Sequence, residues 1–418
     1  MPRQRTAEFG RLPGGGAISF ADATLSRVLR PMPPAPDLPP AAPARYSRQL
    51  MLAGIGEEGQ RRLTTARVLV IGAGGLGSPA ALYLAAAGVG TIGVADHDRV
   101  ELHNLHRQLL HDDASIGRPK VESAARRLAA TNPHVRIMTH PEGVHAGNIA
   151  ALFADYDVIV DGTDNFTSRY LNNDAACLAR KPLVYGSVYT FDGQVTVFDP
   201  AVEGGCYRCL FPEAPAAGSV PGCGEAGVLG ALCGVIGSLQ AMEAIKLITG
   251  AGVPLRGRLL TCRGLDATMN VLALPRDRGC ALCGERPTIN RPGAGIAAPV
   301  CTAKPSMNPA EIPLEISARE AHALRQSNPD GTLIIDVREP YELAICRLPD
   351  AEHIPMRQIP ERLGDLPGDR HLLILCHAGG RSLRVTEFLR ARGLKAVTNI
   401  GGGISAWAEE VDPSLPRY

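Results

Sequence analysis

Apolar and polar positions alternate along the chain with the periods of strands and helices. Between Arg45 and about residue 290, the short apolar runs "RVLVIG" and "TIGVAD" are typical of buried parallel strands, with turn glycines or helix-like segments beside them. The same criterion predicts further strands at "VRIMTH", "DVIVDG", "PLVYGSV" and "QVTVFD". Strands that alternate with helices predict an α/β fold with a doubly wound sheet.

The pattern also divides the chain into regions. Residues 1–43 are rich in proline and glycine, and we expect a disordered extension, because such a segment buries too little surface to offset its chain entropy. Residues 44–290 form the first predicted domain, and residues 291–312, rich in Pro, Gly and Ala, form a linker. In residues 313–418, the helical "EISAREAHALRQS" and "RSLRVTEFLRARG" and the strands "TLIIDVRE" and "HLLILCH" predict a small second α/β domain.

Composition limits which kinds of partner the protein is expected to bind and which cellular compartment it is expected to occupy. The 418 residues carry a formal net charge of +1, so no global field recruits nucleic acid or an anionic membrane, and we expect neither as a partner. The 11 cysteines, with no visible signal-peptide pattern, favour reduced thiols or metal ligands and a cytoplasmic protein. The most apolar stretch includes Gln240, Glu243 and Lys246, so we expect a buried helix there rather than a membrane span.

A glycine loop follows the first predicted strand. Gly72, Gly74 and Gly77 form G-x-G-x-x-G before the helical "SPAALYLAAAG". Such glycines let the backbone approach a ligand closely, and the helix N-terminus offers unpaired N–H groups to a phosphate. Asp96 ends the next strand, where it is placed to bind a ribose hydroxyl. Alone, this Rossmann-like pattern would indicate an NAD dehydrogenase.

Further polar residues change that interpretation. Those that follow Asp96, or follow a strand's C-terminal end, are Asn104, Arg107, Gln108, Lys120, Asp164 and Asn165. Cations beside a nucleotide suit a triphosphate and its pyrophosphate leaving group, and a carboxylate suits Mg²⁺, which prefers hard oxygen ligands. Because a dehydrogenase needs none of these, the sequence favours ATP and Mg²⁺ over NAD.

Residues 45–287 resemble the MoeB/ThiF branch of the ubiquitin-activating-enzyme superfamily. The matching motifs are "RYSRQ", "GAGGLGS", "NLHRQ", "GRPKVESA", "DGTDN", "CYRC", "GVIGSLQAMEAIK" and the final C-x-x-C. The resemblance implies a Rossmann-like adenylation domain that uses ATP and Mg²⁺ to adenylate the C-terminal glycine of a ubiquitin-like sulfur carrier of the MoaD or ThiS type. It places at the ATP site Gly75, Asp96, His103, Asn104, Leu105, His106, Arg107, Lys120, Asp164 and Asn165. It also implies a homodimer in which Arg48 reaches the ATP of the partner subunit.

Two C-x-x-C pairs predict a metal site. Cys206 with Cys209 and Cys280 with Cys283 have the spacing of a tetrahedral Cys₄ zinc site. A redox pair is the alternative, although neither pair begins a thioredoxin-like helix. Because four protein ligands leave no open coordination position, we expect a structural zinc that clamps the sheet edge to the end of the domain.

The remaining cysteines of the first domain have separate interpretations. Cys223 lies in the Gly/Pro-rich "GSVPGCGEAGVLG", and a lone cysteine is commonly an inert small residue. The resemblance, however, places here a mobile crossover-loop cysteine that can engage the activated carrier, so Cys223 is a candidate catalytic residue. Cys177, Cys233 and Cys262 lie in apolar segments and are predicted to be core residues.

The second domain resembles a rhodanese over residues 313–410. The resemblance rests on "IIDVREPYELAICRLPDAEHIP", "LILCHAGGRS" and "NIGGGISAW". Cys376 and Arg381 frame a C-x-x-x-x-R loop, the length found in sulfurtransferases, whereas related phosphatase pockets have one residue more. Backbone N–H groups of the turn, the next helix N-terminus and the Arg381 guanidinium should stabilise a thiolate or persulfide at Cys376.

Two other features of this domain bear on its activity. Many rhodaneses have a histidine and a glycine where this sequence has Arg347 and Asp350, which puts the geometry of entry to the loop in question. Asp336 and Arg338 in "DVRE" are predicted to stabilise the fold rather than to act in catalysis.

Together the two resemblances imply a bifunctional adenylyltransferase and sulfurtransferase. A Cys376 persulfide would attack the acyl-adenylate, AMP would leave, and a second thiol, Cys223, would release the carrier thiocarboxylate. The upstream sulfur donor would be a cysteine desulfurase persulfide or thiosulfate. Two alternatives remain: an NAD-dependent oxidoreductase with an unrelated rhodanese tail, and a non-catalytic docking scaffold for the carrier. The sequence does not select the pathway that consumes the thiocarboxylate.

Overall fold

The computed structural model describes residue 38 and residues 42–202, 204–213, 227–294 and 312–418. Most of the predicted extension, Cys223 and residues 295–311 of the predicted linker lie outside these ranges. The first described helix, Ala42–Arg45, begins before the predicted boundary at residue 44.

The described residues form two sheets and the helices that pack against them. The strands are β1 (Arg67–Ile71), β2 (Thr91–Ala95), β3 (Arg136–His140), β4 (Val158–Asp161), β5 (Leu183–Tyr189), β6 (Asp192–Phe198), β7 (Arg258–Arg263), β8 (Thr268–Ala273), β9 (Glu315–Ile316), β10 (Thr332–Asp336), β11 (Ala351–His353), β12 (His371–Leu375) and β13 (Val397–Ile400). The α-helices are Ala42–Arg45, Ser47–Leu50, Gly56–Thr65, Gly77–Ala86, Lys120–Thr131, Ile149–Ala154, Phe166–Ala179, Tyr207–Leu210, Gly230–Thr249, Ala318–Ser327, Pro340–Ile345, Gly380–Ala391 and Gly403–Glu410. The 3₁₀ helices are Leu102–Asn104, Asp113–Ser115, Met356–Gln358 and Leu363–Asp365.

The first sheet has the strand order β3-β2-β1-β4-β5-β6-β7-β8. Its first five strands pair in parallel, which confirms the predicted doubly wound, Rossmann-like core. The strand order reverses between β1 and β4, so the connections that follow these two strands leave toward opposite faces and open a crevice at their C-terminal ends. A ligand-binding cleft is therefore expected at this edge.

The other end of this sheet is antiparallel, which the sequence pattern did not predict. Tyr189 in β5 pairs with Asp192 in β6, so only two residues connect the strands, and Thr190 adopts a φ of +50°. A two-residue connection can join only antiparallel neighbours. Strands β7 and β8 were not predicted, and β8 is exposed along its whole length, so it carries no alternation of buried and exposed positions.

Helix Gly230–Thr249 is the one helix in the described ranges that is long and apolar enough to cross a membrane. It packs into the first domain, as its polar positions predicted. Gln240 is fully buried, and its side-chain amide donates to Asp161 O at 2.7 Å and Val184 O at 3.2 Å. Gly237 allows close contact with the helix behind the glycine loop, because a Cβ there would lie 2.4 Å from Leu76 O.

The second sheet has the order β11-β10-β12-β13-β9, with every pair parallel. This confirms a small second α/β domain of rhodanese type. The predicted strands β10 and β12 lie at its centre, whereas β9, β11 and β13 were missed, since each has four residues or fewer. The predicted helix over residues 315–327 begins later, at Ala318, because Ser317 and Glu320 form a capping box that ends β9.

Candidate nucleotide, metal and sulfur sites

A cleft of about 170 Å³ opens at the C-terminal ends of β1, β2 and β4. It is lined by most of the predicted ATP-site residues, namely Gly72, Gly74, Gly75, Asp96, Arg107, Lys120, Asp164 and Asn165. The predicted residues that do not line it are Arg48, Gly77, His103, Asn104, Leu105 and His106. The tertiary structure thus brings together residues from four separate motifs, and Asp96, at the edge that the strand order indicated.

The glycine loop is shaped by close backbone packing. Gly72 has a φ of +86°, a region that glycine enters without steric cost. A Cβ on Gly77 would lie 1.7 Å from Gly72 O, and a Cβ on Gly75 would lie 3.0 Å from the Cys233 Sγ. Helix Gly77–Ala86 can therefore begin directly behind the turn, where its first N–H groups have no partner within the helix.

Asp96 and Lys120 are each held by a hydrogen bond at the rim of the cleft. The Asp96 carboxylate accepts from the Ala73 N–H at 2.7 Å, so the predicted ribose ligand is fixed to the glycine loop. The Lys120 Nζ donates to Asp98 at 2.8 Å, and the lysine is only 6% exposed. Asp98, which the sequence analysis did not select, thus holds the buried ammonium in the cleft.

Three of the predicted residues outside the cleft position Arg107, which lines it. The Arg107 guanidinium donates to His103 O at 3.0 Å and Asn104 Oδ1 at 3.1 Å, and lies 2.8 Å from His106 Nε2. Asn104 is buried, and its Oδ1 also accepts from Gln108 at 3.1 Å. Burial lowers the pKa of His103 and of His106, so both rings are neutral at pH 7 and do not repel the arginine.

The side chains of Asp164 and Asn165 differ in their hydrogen bonding within the protein. The Asn165 side chain accepts from the Ser168 N–H at 2.9 Å and caps helix Phe166–Ala179. Asp164 is exposed, and no group among the described residues donates to its carboxylate. The Asp164 carboxylate is therefore available to a bound cation, and Asp96, His97 and Asp98 form a second group at this cleft whose ligand atoms lie within 4.8 Å of one another.

Besides Asp98, three further residues at this edge were not predicted from the sequence. Asp161 is fully buried beneath the cleft, its carboxylate accepts from the Thr163 N–H at 3.0 Å and hydroxyl at 2.6 Å, and burial raises its pKa. Arg169 and Asn172 line the cleft from helix Phe166–Ala179. They follow Asn165 at intervals of four and seven residues, so the helical period of the sequence contained this signal.

The four predicted metal ligands converge. The Sγ–Sγ distances are 3.9 Å for Cys206 and Cys209, 3.7 Å for Cys206 and Cys280, and 3.4 Å for Cys209 and Cys283, and all four sulfurs lie within 4.8 Å of one another. Four thiolates about 2.3 Å from a zinc ion would be about 3.8 Å apart, the edge of a tetrahedron. The donor set and its spacing therefore fit the Cys₄ site that the sequence predicted.

The other described cysteines of this domain have different environments. Cys233 and Cys262 are buried in the core, as predicted. Cys177, also predicted as core, is instead half-buried against the cysteine tetrad. Burial raises the pKa of the Cys177 thiol to about 11.

Cys376 lies directly after β12, at the start of the predicted active loop. It is 1% exposed, and its Sγ accepts from the Gly379 N–H at 3.1 Å and the Ser382 hydroxyl at 3.1 Å. Gly379 has a φ of +94°, which turns the chain into helix Gly380–Ala391. A backbone N–H and a hydroxyl therefore face the sulfur, and Ser382 is a contact that the sequence analysis missed.

The hydrogen-bond partner of the Arg381 guanidinium differs from the one that we expected. We expected its guanidinium to stabilise the Cys376 sulfur, but its two terminal nitrogens donate to Glu342 at 2.7 and 2.6 Å. Burial alone would raise the pKa of the Glu342 carboxyl, but the hydrogen bonds from Arg381 and the Glu339 N–H hold it below its ordinary value. Arg381 thus ties the loop to helix Pro340–Ile345.

The glycine motif "NIGGGISAW" holds the active loop through backbone hydrogen bonds. The Ile404 N–H donates to Cys376 O at 2.8 Å, and the Ser405 N–H donates to His377 O at 3.1 Å. A Cβ on Gly403 would lie 2.4 Å from Cys376 O, so only glycine permits this approach. The backbone of the cysteine and of the next residue is therefore fixed by this glycine turn.

The remaining predictions for this domain concern four charged residues. Asp336 and Arg338 form a buried pair with an N–O distance of 2.7 Å, which agrees with a role in the fold. Arg347 and Asp350, which stand where many relatives have histidine and glycine, are both exposed.

The fold and these sites define a two-domain enzyme class, in which a nucleotide-binding α/β domain with a cysteine tetrad is joined to a rhodanese-type cysteine loop. Residues 46–282 match the model of the ThiF family, and residues 317–410 match the model of the rhodanese-like domain. The chain therefore belongs to the ThiF family, in the form that carries a rhodanese-like domain.

Relatives that align with most of the chain are named for two activities. The chain is 42% identical to the probable adenylyltransferase/sulfurtransferase MoeZ of Mycobacterium tuberculosis, over 90% of this chain and 95% of that protein. It is 43% identical to the adenylyltransferase and sulfurtransferase MOCS3 of Anopheles gambiae, over 90% of this chain and 88% of that protein. The crystal structure of MccB from E. coli with MccA-N7isoASN shares the fold, with a TM-score of 0.52, 22% identity, and coverage of 58% of this chain and 74% of that chain.

Proposed function

We propose that this protein adenylates the C-terminal glycine of a ubiquitin-like sulfur carrier of the MoaD or ThiS type and then converts that glycine to a thiocarboxylate. The observation that carries the proposal is that one chain combines a cation-lined cleft at the sheet edge with a cysteine loop built for sulfur. The ThiF family acts on ubiquitin-like sulfur carriers, and the MoeZ and MOCS3 relatives are named for both activities.

In the cleft, the chain's task is charge neutralisation and positioning. A terminal carboxylate has an ordinary pKa of roughly 3.5, so it is already an anion at pH 7 and attacks the α-phosphate of ATP without a general base. The carboxylate–phosphorus bond forms, and pyrophosphate leaves. Arg107 and Lys120 line the cleft where they can neutralise the phosphates, and Asp164 would hold Mg²⁺, which supplies further charge for the leaving pyrophosphate.

The sulfur step begins at Cys376. A cysteine desulfurase persulfide, or thiosulfate, first transfers sulfur to the Cys376 thiolate. The terminal sulfur of the resulting persulfide then attacks the carbonyl carbon of the acyl-adenylate, the bond to the phosphate oxygen breaks, and AMP leaves. Cys223 would next attack the Cys376 side of the acyl disulfide, which releases the thiocarboxylate and leaves a Cys223–Cys376 disulfide. A thiol reductant closes the cycle, which suits the reducing cytoplasm.

The proposal includes the assembly and the metal. Arg48 lies outside the cleft of its own chain, which supports its predicted action on the ATP of the partner subunit in a homodimer. Cys206, Cys209, Cys280 and Cys283 would hold Zn²⁺ in a closed structural site. We keep the predicted boundaries, with adenylation in residues 44–290 and sulfur transfer in residues 313–418.

Pyrophosphate exchange into ATP tests the first half-reaction. With purified protein, Mg²⁺ and a carrier ending in Gly-Gly, labelled pyrophosphate should enter ATP, because adenylation is reversible until AMP leaves. The same carrier lacking its last glycine is the control and should support no exchange. Absence of exchange with every MoaD- and ThiS-type carrier, in folded protein, would rule out the adenylation proposal, whereas reduction of NAD without any carrier would favour the oxidoreductase.

Removal of the cysteine tetrad should affect stability rather than chemistry. We expect one zinc per chain in purified protein and a lower thermal midpoint in Cys280→Ser, because a closed Cys₄ site contributes folding free energy. Elemental analysis and thermal unfolding measure both quantities. Cys262→Ser is the matched control, since Cys262 is buried away from the tetrad and should keep the zinc. Full zinc content in Cys280→Ser would contradict the assignment.

A further inference from the structure

Tyr418 contacts the residue beside the active cysteine. The Tyr418 ring stacks on the His377 ring with a centroid distance of 4.6 Å and an interplanar angle of 36°. The His377 Nε2–H donates to the main-chain oxygen of Tyr418 at 2.7 Å. His377 directly follows Cys376, so this side chain rests on the active loop from a position 41 residues further along the chain.

The Tyr418 hydroxyl joins two ion pairs behind that loop. Arg338, which is fully buried and paired with Asp336, donates to the hydroxyl at 2.6 Å. The hydroxyl in turn donates to Glu342 at 3.2 Å, and Glu342 is the carboxylate that holds both terminal nitrogens of Arg381. An uninterrupted series of contacts therefore runs from the core of the domain through Tyr418 to the last residue of the C-x-x-x-x-R loop.

We propose that Tyr418 is a positioning residue for sulfur transfer, which holds the loop from Cys376 to Arg381 at both of its ends. At the first end, its ring and main-chain oxygen fix His377. At the second end, its hydroxyl orients the Glu342 carboxylate, and this carboxylate fixes Arg381. The loop must keep the Gly379 N–H and the Ser382 hydroxyl directed at the sulfur, and these two donors come from residues between and beside the fixed ends.

The loop needs these contacts because, without them, it would adopt alternative conformations. Each glycine of the loop adds backbone freedom, and Gly379 has a φ of +94° that nearby contacts must maintain. If the contacts at one end are lost, the Gly379 N–H and the Ser382 hydroxyl are directed at the Cys376 Sγ for only part of the time. A displacement of about 1 Å at a reacting group can reduce a rate by roughly a hundredfold.

The test uses the full-length chain, thiosulfate as donor and cyanide as acceptor, and so rests on the proposed role of Cys376. Thiosulfate passes sulfur to the Cys376 thiolate and releases sulfite, and cyanide then takes the terminal sulfur as thiocyanate. Tyr418→Ala removes both contacts of the side chain, and we expect a rate at least about tenfold below wild type. Tyr418→Phe keeps the ring and the main-chain oxygen but loses the hydroxyl bridge to Glu342, so it should recover only part of the loss. Tyr341→Ala, at a tyrosine of the same domain that is 68% exposed, is the control and should match wild type.

A double-mutant cycle separates positioning from general destabilisation. Tyr418→Phe removes the bridge to Arg381, and Glu342→Gln weakens the same bridge. The double variant should therefore be no slower in sulfur transfer than the slower of the two single variants. Thermal unfolding of each variant checks that the domain stays folded at the assay temperature. Additive losses, or wild-type rates in folded Tyr418→Ala, would overturn the inference. Absence of thiocyanate formation in wild type would instead overturn the proposed role of Cys376.

Discussion

Lys120→Ala is expected to reduce carrier-dependent pyrophosphate exchange by about 10²- to 10³-fold, the range found when one preorganised charge-stabilising group is removed from an active site. The Lys120 ammonium is 6% exposed and fixed by Asp98 at the rim of the cleft, so it needs no rearrangement as charge develops on the leaving pyrophosphate. A charge in such a partly dry site interacts more strongly than one in water. The initial rate of exchange at saturating ATP and carrier measures the effect.

Two controls make this result specific. Lys395→Ala removes an exposed lysine of the second domain and should leave exchange unchanged. Sulfur transfer from thiosulfate to cyanide should also persist in Lys120→Ala, because it needs only the Cys376 loop, and its persistence shows that the second domain is intact. Wild-type exchange in folded Lys120→Ala would remove this lysine from the proposed mechanism.

Cys376→Ala is expected to lower thiocarboxylate formation by at least about 10⁴-fold while pyrophosphate exchange continues, because it removes the sulfur-carrying nucleophile and leaves the nucleotide cleft untouched. Alanine is smaller than cysteine and fits the buried position without a clash, so the loop should stay folded. The mass of the carrier, which rises by the exchange of one oxygen for one sulfur, measures the product after incubation with ATP and a defined persulfide donor.

Cys346→Ala is the matched control for this experiment. Cys346 is buried in the same domain outside the C-x-x-x-x-R loop, and its Sγ accepts from the Arg338 guanidinium at 3.8 Å. We expect its variant to retain sulfur transfer. Thiocarboxylate formed by Cys376→Ala at the wild-type rate would show that sulfur reaches the adenylate by another route and would contradict the role of the rhodanese loop.

Most of the buried strands could be predicted from the sequence, whereas the fully exposed strand and the shortest strands could not. Strands β1, β2 and β4 are buried on both faces, so they appear as continuous apolar runs that short-range pattern detects. Strand β8 is exposed at every residue, and β9 has only two residues, so neither contains a pattern. These two strands form because they pair with neighbouring strands of the folded sheet.

The candidate sites divide in a similar way. Cys206, Cys209, Cys280 and Cys283 could be paired in advance, because their spacing within each C-x-x-C is the requirement of the metal itself. The long-range partner of Arg381 could not be found, because Glu342 lies 39 residues away with no local motif between them. The same applies to Asp98, which holds Lys120 from a position 22 residues earlier.

The sequence by itself determined the two domains, the nature of their chemistry and the candidate residues for it, because nucleotide loops, metal ligands and sulfur loops impose local spacing that the chain must satisfy. Only the tertiary structure decided which groups hold those residues in place. It directs Arg381 to Glu342, pairs Lys120 with Asp98, and brings Tyr418 onto the residue next to Cys376. Such contacts join distant segments through packing and hydrogen bonds whose partners are chosen by the folded backbone, and no spacing along the chain encodes them.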